Sequence, residues 1–229
     1  MTTFQKIVKY LAIGFATFLI VAIYSGILCA GLGIISASRL IKDNSSIETS
    51  CENTTETCLQ ISLSMSKLNI KKGDSLHVDT KNDNVSIKQE NNQLIITEKG
   101  WQLFKGGSDR DIVVYIPENM KFEKVGISGG AGSIEIESLR AKQLEMSLGV
   151  GKTEINALEV DDAKISTGIG KVSVNLMSKA DSYKIKVEKG VGEIKFNDNS
   201  VSGSSALGNG PHELSVNSGI GSITINTKQ

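Results

Sequence analysis

Apolar and polar residues alternate along the second half of the chain, and a Gly-x-Gly core interrupts the alternation five times. Two residues at alternate positions lead into each core and two more follow it. In the first repeat these residues are Val125, Ile127, Ile134 and Ile136. Period-two alternation predicts a β-strand with one buried face, so each repeat should consist of a strand, a glycine turn and a second strand. The predicted turn glycines are Gly130 and Gly132, Gly149 and Gly151, Gly168 and Gly170, Gly190 and Gly192, and Gly219 and Gly221.

The spacing of the cores predicts how the repeats pack. Their first glycines stand at positions 130, 149, 168, 190 and 219. A unit of two short strands cannot bury its apolar face alone, whereas stacked copies bury it continuously. We therefore predict an all-β fold, a β-solenoid of stacked strand–Gly-x-Gly–strand repeats. The alternative is an antiparallel meander in which each Gly-x-Gly is a hairpin turn.

Stacking in register would align the central residues of the five cores in one ladder, which we expect to be internal. This ladder would comprise Ala131, Val150, Ile169, Val191 and Ile220. Residues 125–229 are assigned to the solenoid. Residues 59–124 show strand patterns without the clean repeat and are assigned to an irregular β region that caps one end, because terminal units of stacked repeats are expected to be atypical.

An uncharged, largely apolar stretch covers residues 10–38. A helix needs about 20 such residues to cross the hydrocarbon core of a bilayer, so the stretch is long enough. It predicts one N-terminal transmembrane helix between a cytoplasmic tail (1–9) and a polar linker (39–58). The alternative is a cleaved signal peptide, but the apolar run exceeds the about 7–15 residues of such signals.

The charges around this stretch predict its orientation. Lys6 and Lys9 precede it, whereas Arg39 and Lys42 follow it with Asp43 close by. The positive-inside rule then favours, weakly, a cytoplasmic N-terminus. We expect a single-pass protein of the cell membrane with its repeat domain outside the cytoplasm.

Cys51 and Cys58 are the two cysteines outside the predicted helix. In an exported domain they could close a small disulfide loop. The alternative is two free thiols in a linker.

The sequence carries no residue set typical of catalysis or cofactor binding. Its 25 basic and 25 acidic residues give no basic footprint for nucleic acid. Residues 149–153 resemble the end of a phosphate-binding loop, but Met146 stands where that motif needs its first glycine. Residues 129–132 resemble the start of a calcium-binding nonapeptide, but Ile134 occupies the aspartate position. We expect no metal, no cofactor and no enzymatic activity, and we interpret the acidic pair at 161–162 as solvated turn residues.

The segment 112–117 (Ile-Val-Val-Tyr-Ile-Pro), followed by 129–136 (Gly-Gly-Ala-Gly-Ser-Ile-Glu-Ile), resembles a bacterial family. This family consists of β-strand-repeat proteins known as "putative adhesins", a domain of unknown function common in Gram-positive bacteria. The resemblance covers about residues 68–226. It implies a location in the cell envelope and, in some members, a part in envelope-stress signalling, and it supplies no catalytic residues.

These observations predict a non-enzymatic, membrane-anchored extracytoplasmic module that binds or senses an envelope ligand or partner protein. The alternatives are a carbohydrate-active β-helix enzyme and an accessory subunit that signals through its transmembrane helix in envelope stress. Within the last repeat, Ser222, Thr224 and Asn226 are expected on an open strand edge that could recruit a partner strand or a second copy. The segment 198–211 is expected to be a mobile loop.

Overall fold

The computed structural model describes residues 57–90, 92–99, 111–201 and 205–228. These residues belong to one compact unit, Ile47–Gln229. They are almost entirely β-structure, as predicted, with a short 3₁₀ helix at Ala180–Ser182. Within these ranges no helix has the length and hydropathy needed to span a bilayer, and the predicted transmembrane segment, 10–38, lies outside the described residues.

The described strands fall into short ones and long ones that turn corners. In chain order they are β1 (Cys58–Leu63), β2 (Lys67–Gly73), β3 (His77–Thr80), β4 (Val85–Glu90), β5 (Gln93–Glu98), β6 (Asp111–Pro117), β7 (Phe122–Ile136), β8 (Leu139–Lys179), β9 (Tyr183–Phe196), β10 (Asn199–Val201), β11 (Ser205–Leu207) and β12 (His212–Lys228). A Gly-x-Gly corner lies inside β7, β9 and β12, and two such corners lie inside β8. We call each strand–corner–strand unit a rung.

Neighbouring rungs pair in parallel and in register. Ala131 in β7 lies opposite Val150 in β8, one repeat further along the chain. The two rungs within β8 stack in the same way, since the glycine at 168 lies on the carbonyl group of the glycine at 149. The parallel pairing produces a β-solenoid-like stack and excludes the antiparallel meander.

The order of the rungs in space differs from their order along the chain. β12, which carries the fifth Gly-x-Gly, lies between β8 and β9 and pairs in parallel with both. At the other end, β1 and β2 lie between β7 and the strands β5 and β6, which follow them in sequence. The spatial order is therefore β5–β6, β1–β2, β7, the two rungs of β8, β12 and β9.

This order overturns the prediction of an open edge in the last repeat. Ser222 lies between Lys171 of β8 and Glu193 of β9, so backbone partners occupy both of its sides. Thr224 is also paired on both sides, and the Asn226 amide donates to Asn175 Oδ1 at 2.8 Å. The prediction failed because it assumed that the fifth repeat stacks outside the fourth.

Short antiparallel strands cover both ends of the stack. β10 and β11 pair with the outer edge of β9, while β3 pairs with β6 and β4 with β5. The described part of segment 198–211 therefore contributes two strands, and the interpretation as a mobile loop is wrong for these residues. Asn197 and Asp198 have φ of 47° and 64°, and two successive positive values are typical of the tight turns that join antiparallel strands.

The interior is filled by ladders of aliphatic side chains at equivalent positions of successive rungs. Each fully buried Ile, Val or Met side chain stabilises the fold by about 1.5–3 kcal/mol relative to its exposed state. One ladder comprises the buried residues Ile61, Ile127, Met146, Ile165, Val216 and Val187.

The corners require glycine for two reasons. The second glycine of each core has φ between 140° and 151°, a region that side chains other than glycine rarely adopt. A Cβ atom at Gly151 would also collide with the carbonyl oxygen of Gly132, and one at Gly170 with that of Gly151. The first glycines meet a similar obstacle, as a Cβ atom at Gly149 would collide with the carbonyl oxygen of Gly130.

Replacement of Gly151 by alanine should therefore destabilise the fold by at least about 2 kcal/mol, since the substitution adds both backbone strain and a clash with the next rung. Lys152→Ala is the matched control, because the side chain of Lys152 is exposed and its ion pair with Glu154 lies at the surface. Chemical denaturation of the two variants measures the difference. Equal unfolding midpoints for wild type and Gly151→Ala would show that the corner does not need glycine.

Candidate functional site

The central residues of the Gly-x-Gly cores form a continuous row along one corner of the stack. Ile220 lies opposite Ile169 on one side and Val191 on the other. At the opposite end Met65 occupies the same corner of the β1–β2 rung, because the Ala131 amide donates to the Ser64 carbonyl oxygen at 3.0 Å. We call this row the corner ridge; in spatial order it comprises Met65, Ala131, Val150, Ile169, Ile220 and Val191.

The corner ridge is exposed, which contradicts the predicted internal ladder. The exposed fraction of its large side chains ranges from 44% for Met65 to 68% for Val191. Because the chain turns at each corner, the central residue points away from both strands that it joins. In the five Gly-x-Gly cores the glycines on either side of the central residue carry no side chain, whereas Ser64 and Ser66 flank Met65.

Outward-facing polar residues border the corner ridge on both sides. The strands that follow it present lysines next to the ridge, and acids lie two residues further away. Lys67 Nζ lies 3.4 Å from Glu135 Oε2, and Lys152 pairs with Glu154. The hydrogen bond from Lys152 lowers the pKa of Glu154, and the same contact raises the pKa of Lys152. The ladder next to the ridge reads Lys67, Ser133, Lys152, Lys171, Ser222 and Glu193 in spatial order.

Uncharged side chains dominate the other border. The strands that lead into the corner present mainly Ser and Asn at the equivalent outward position. In spatial order this ladder reads Ser62, Ser128, Ser147, Ser166, Asn217 and Glu188. The apolar character of the corner ridge is thus confined to a strip one residue wide.

Glu98 holds the first corner of the ridge. Its Oε2 atom accepts hydrogen bonds from the backbone amides of Ser64 and Met65, at 2.7 and 3.0 Å. Its Oε1 atom accepts from Ser66 Oγ at 2.7 Å and from Asn82 Nδ2 at 3.1 Å. Burial raises the pKa of Glu98, but these donors together outweigh burial and hold the pKa below its usual value. The carboxylate therefore anchors the Met65 corner at neutral pH.

The two segments whose sequences resemble ligand-binding motifs do not adopt the conformations that those motifs need. Residues 149–153 form a corner and a strand, and Thr153 faces the interior, where it is buried. Among the described residues no group of three or more His, Cys, Asp or Glu could hold a metal ion. Asp161 lies at an outer corner, with Lys121 Nζ at 3.4 Å and His212 Nδ1 at 3.7 Å. The Asp161 carboxylate therefore forms a surface ion pair with Lys121.

A second surface feature is an open groove of about 670 Å³ on the strands that lead into the corners. Charges of both signs alternate along it, which suits no single ionic ligand. It is lined by Lys124, Gln143, Glu145, Asp162, Lys164, Glu213 and Ser215, and the buried residues Val125, Leu144 and Ala163 lie beneath it.

The predicted disulfide falls only partly on the described residues. Cys58 is disulfide-bonded and fully buried at the start of β1. Cys51 lies outside the described residues, so its pairing with Cys58 stays a prediction.

The sequence and fold of this chain are similar to those of known bacterial proteins. A family model described as Toastrack DUF4097 matches residues 40–229. The chain belongs to this family. The Toastrack DUF4097 family is a domain of unknown function, in agreement with the resemblance found in the sequence. Among curated proteins, none matches this chain.

Solved structures of bacterial proteins, including two with adhesion-related names, are similar to the Toastrack chain. A "putative cell adhesion protein" from Clostridium sporogenes has a TM-score of 0.60 and 23% identity, over 76% of this chain and 93% of that one. A "putative adhesin" from Bacteroides fragilis has a TM-score of 0.36 and 11% identity, over 74% of this chain and 92% of that one. The first likeness shows the shared fold.

One signal in the sequence could have revealed the exposed ridge. Buried residues before and after a core are separated by an odd number of positions, as with Ile165 and Val172. Strict alternation cannot connect two inward residues across an odd interval. Somewhere in each core the alternation must break, and the central residue of a corner is then free to face outward.

Glu98→Gln should destabilise the Toastrack fold by about 1 kcal/mol at neutral pH, because the amide group replaces an acceptor with a donor that faces other donors. The folded-state pKa of Glu98 is lowered, so its stabilising effect is complete above the unfolded pKa and is lost as pH falls through the folded pKa. Thermal unfolding from pH 7 to pH 2 should show the wild-type and variant curves converging in acid. The exposed Glu90→Gln is the control, and a constant gap at every pH would contradict the proposed role.

Proposed function

We propose that this Toastrack protein is a non-enzymatic, membrane-anchored extracytoplasmic module that binds a component of the bacterial envelope through its corner ridge. The observation that carries the proposal is the exposure of Val150, Ile169, Ile220 and Val191 in one continuous apolar row. Contiguous exposed apolar surface is unfavourable in water and commonly marks an interaction site.

The contrast with neighbouring positions supports a binding role. The ladders on both sides of the ridge are Ser, Asn, Lys and Glu, so polar residues are tolerated at outward positions of these rungs. Large aliphatic residues nevertheless recur at the one position where side chains protrude most. A narrow apolar strip with a polar rim has the composition of a binding surface.

Membrane anchoring rests on the sequence. The uncharged stretch 10–38 has the length of a transmembrane helix, and the charges around it favour a repeat domain outside the cytoplasm. The adhesion-related name of the Clostridium sporogenes structure is compatible with a role in binding at the cell surface. A module tethered in this way would present the corner ridge to the envelope.

The absence of enzymatic activity is part of the proposal. The ion pairs found among the described residues lie at the surface, such as Arg140 Nη2 with Glu159 Oε2 at 2.8 Å. Within these residues no base, nucleophile and orienting group converge on one pocket, which a hydrolase or lyase would need. Binding without chemical conversion fits the side chains better.

A photo-reactive amino acid at Ile169 in the full chain should form adducts in intact cells, because the proposed partner lies against the ridge. The same amino acid at Asn156, an exposed position of the preceding rung outside the ridge, is the matched control. Loss of a neighbouring Ile side chain by Ile220→Asp should lower the adduct yield about tenfold or more. Mass spectrometry of the adduct identifies its chemical class.

Equal adduct yields from Ile169 and Asn156 would show that the ridge is not the binding surface. Circular dichroism of the Ile220→Asp protein checks that the fold is intact, which is expected because this side chain is half-exposed.

A further inference from the structure

The shape of the corner ridge restricts what it can bind. Small-molecule sites are concave, whereas the ridge is a convex row of single side chains. Six rungs at the usual strand spacing of about 4.8 Å give it a length of roughly 24 Å. A convex apolar strip of this kind suits a soft or planar partner.

A second copy of the chain is a poor occupant. Stable protein complexes bury about 800 Å² on each partner, and a single row of six side chains, one of them an alanine, supplies well under that area. Antiparallel pairing of two ridges would also bring the central lysines, Lys152 and Lys171, of the two copies together. Like charges placed opposite each other oppose association.

The distribution of charge around the ridge favours an anionic surface. Lys67, Lys152 and Lys171 lie directly beside it, whereas their acidic neighbours, Glu135 and Glu154, lie further from the corner. Long lysine side chains can keep their amines in the headgroup layer while adjacent apolar residues enter the acyl boundary. Basic residues next to an apolar strip are the pattern of binding to anionic lipid.

The position of the ridge in the chain makes such contact feasible. The described chain enters β1 at Cys58, and Met65 follows seven residues later at the corner. The predicted disulfide would close residues 51–58 into a loop, so only the 12 residues from 39 to 50 add to the reach, and these could span up to about 40 Å when extended. If residues 10–38 cross a bilayer, the ridge is tethered within reach of that bilayer's surface.

We propose that the corner ridge docks on the anionic surface of a lipid bilayer, with Met65, Val150, Ile169 and Ile220 inserted at the headgroup boundary and Lys67, Lys152 and Lys171 placed on lipid phosphates. This inference rests on the proposed function and names the component that the ridge binds. The rung of Val191 lies at the periphery of the contact, since Glu188 and Glu193 border it.

The full chain reconstituted in phosphatidylcholine vesicles that contain phosphatidylglycerol provides the test. An environment-sensitive fluorescent amino acid is placed at Ile169 or, as the control, at Asn156, and the vesicles carry a lipid-attached quencher. Quenching should be several-fold stronger at Ile169 than at Asn156. Replacement of phosphatidylglycerol by phosphatidylcholine, or a rise in salt, should reduce the difference.

Charge-reversal variants test the lysines. Lys152→Glu combined with Lys171→Glu should reduce the quenched fraction at Ile169 at least fivefold. Lys164→Glu changes an exposed lysine five residues before Ile169, away from the ridge along the strand that leads into the corner, and should leave that fraction nearly unchanged. Circular dichroism confirms that each variant is folded.

Equal quenching at Ile169 and Asn156, or quenching that does not depend on phosphatidylglycerol, would overturn the lipid proposal. A photo-adduct of Ile169 with a second copy or another protein, without lipid quenching, would also overturn it but would leave the ridge as a binding surface. Absence of both protein adducts and lipid quenching would remove the ridge from the proposed function as well.

Discussion

The close stacking of one corner's backbone on the next is the constraint on which the structure depends. At each Gly-x-Gly core a backbone carbonyl oxygen of the neighbouring rung occupies the space where a Cβ atom would lie; it belongs to Ser64 or Ser66 at the first core and to a glycine at the other four. This contact requires glycine on both sides of the central residue, and it fixes the register of the rungs. The same contact leaves the central side chain no inward position, which is why an aliphatic row lies at the surface of this protein.

The spatial order of the rungs addresses a second constraint, the open edge of a parallel stack. An uncovered strand presents unpaired backbone groups that recruit other chains. The fourth repeat lies at one end of the stack, and the segment after it provides β10 and β11, which cover its edge before β12 returns to an interior position. β3 and β4 cover the other end. Association through strand addition is thus disfavoured at both ends, which leaves the corner ridge as the proposed contact surface.

Sequence periodicity predicted the local structure well because a strand with one buried face requires apolar residues at every second position. Ile127, Ile165 and Val216 lie in the core where alternation placed them, and the glycine corners are where the repeats indicated. The spatial order of the rungs could not be predicted in this way, because β9 and β12 present equivalent inward residues and either could stack next to β8. The contribution of Glu98 was equally hidden, since its four donors come from residues distant in sequence.

Crosslinking of cysteine pairs tests the central claim, the non-sequential stacking of the corners. Ser222 lies directly opposite Glu193, whereas Lys171 lies two strand spacings, about 10 Å, from Glu193. Two variants are compared, one with Cys at 193 and 222 and one with Cys at 193 and 171. A reagent that spans about 5 Å, close to one strand spacing, should link the first pair but not the second. Peptide mass spectrometry identifies the linked sites. Efficient linkage of 171 to 193 would instead place the fourth repeat next to the third and would contradict the account.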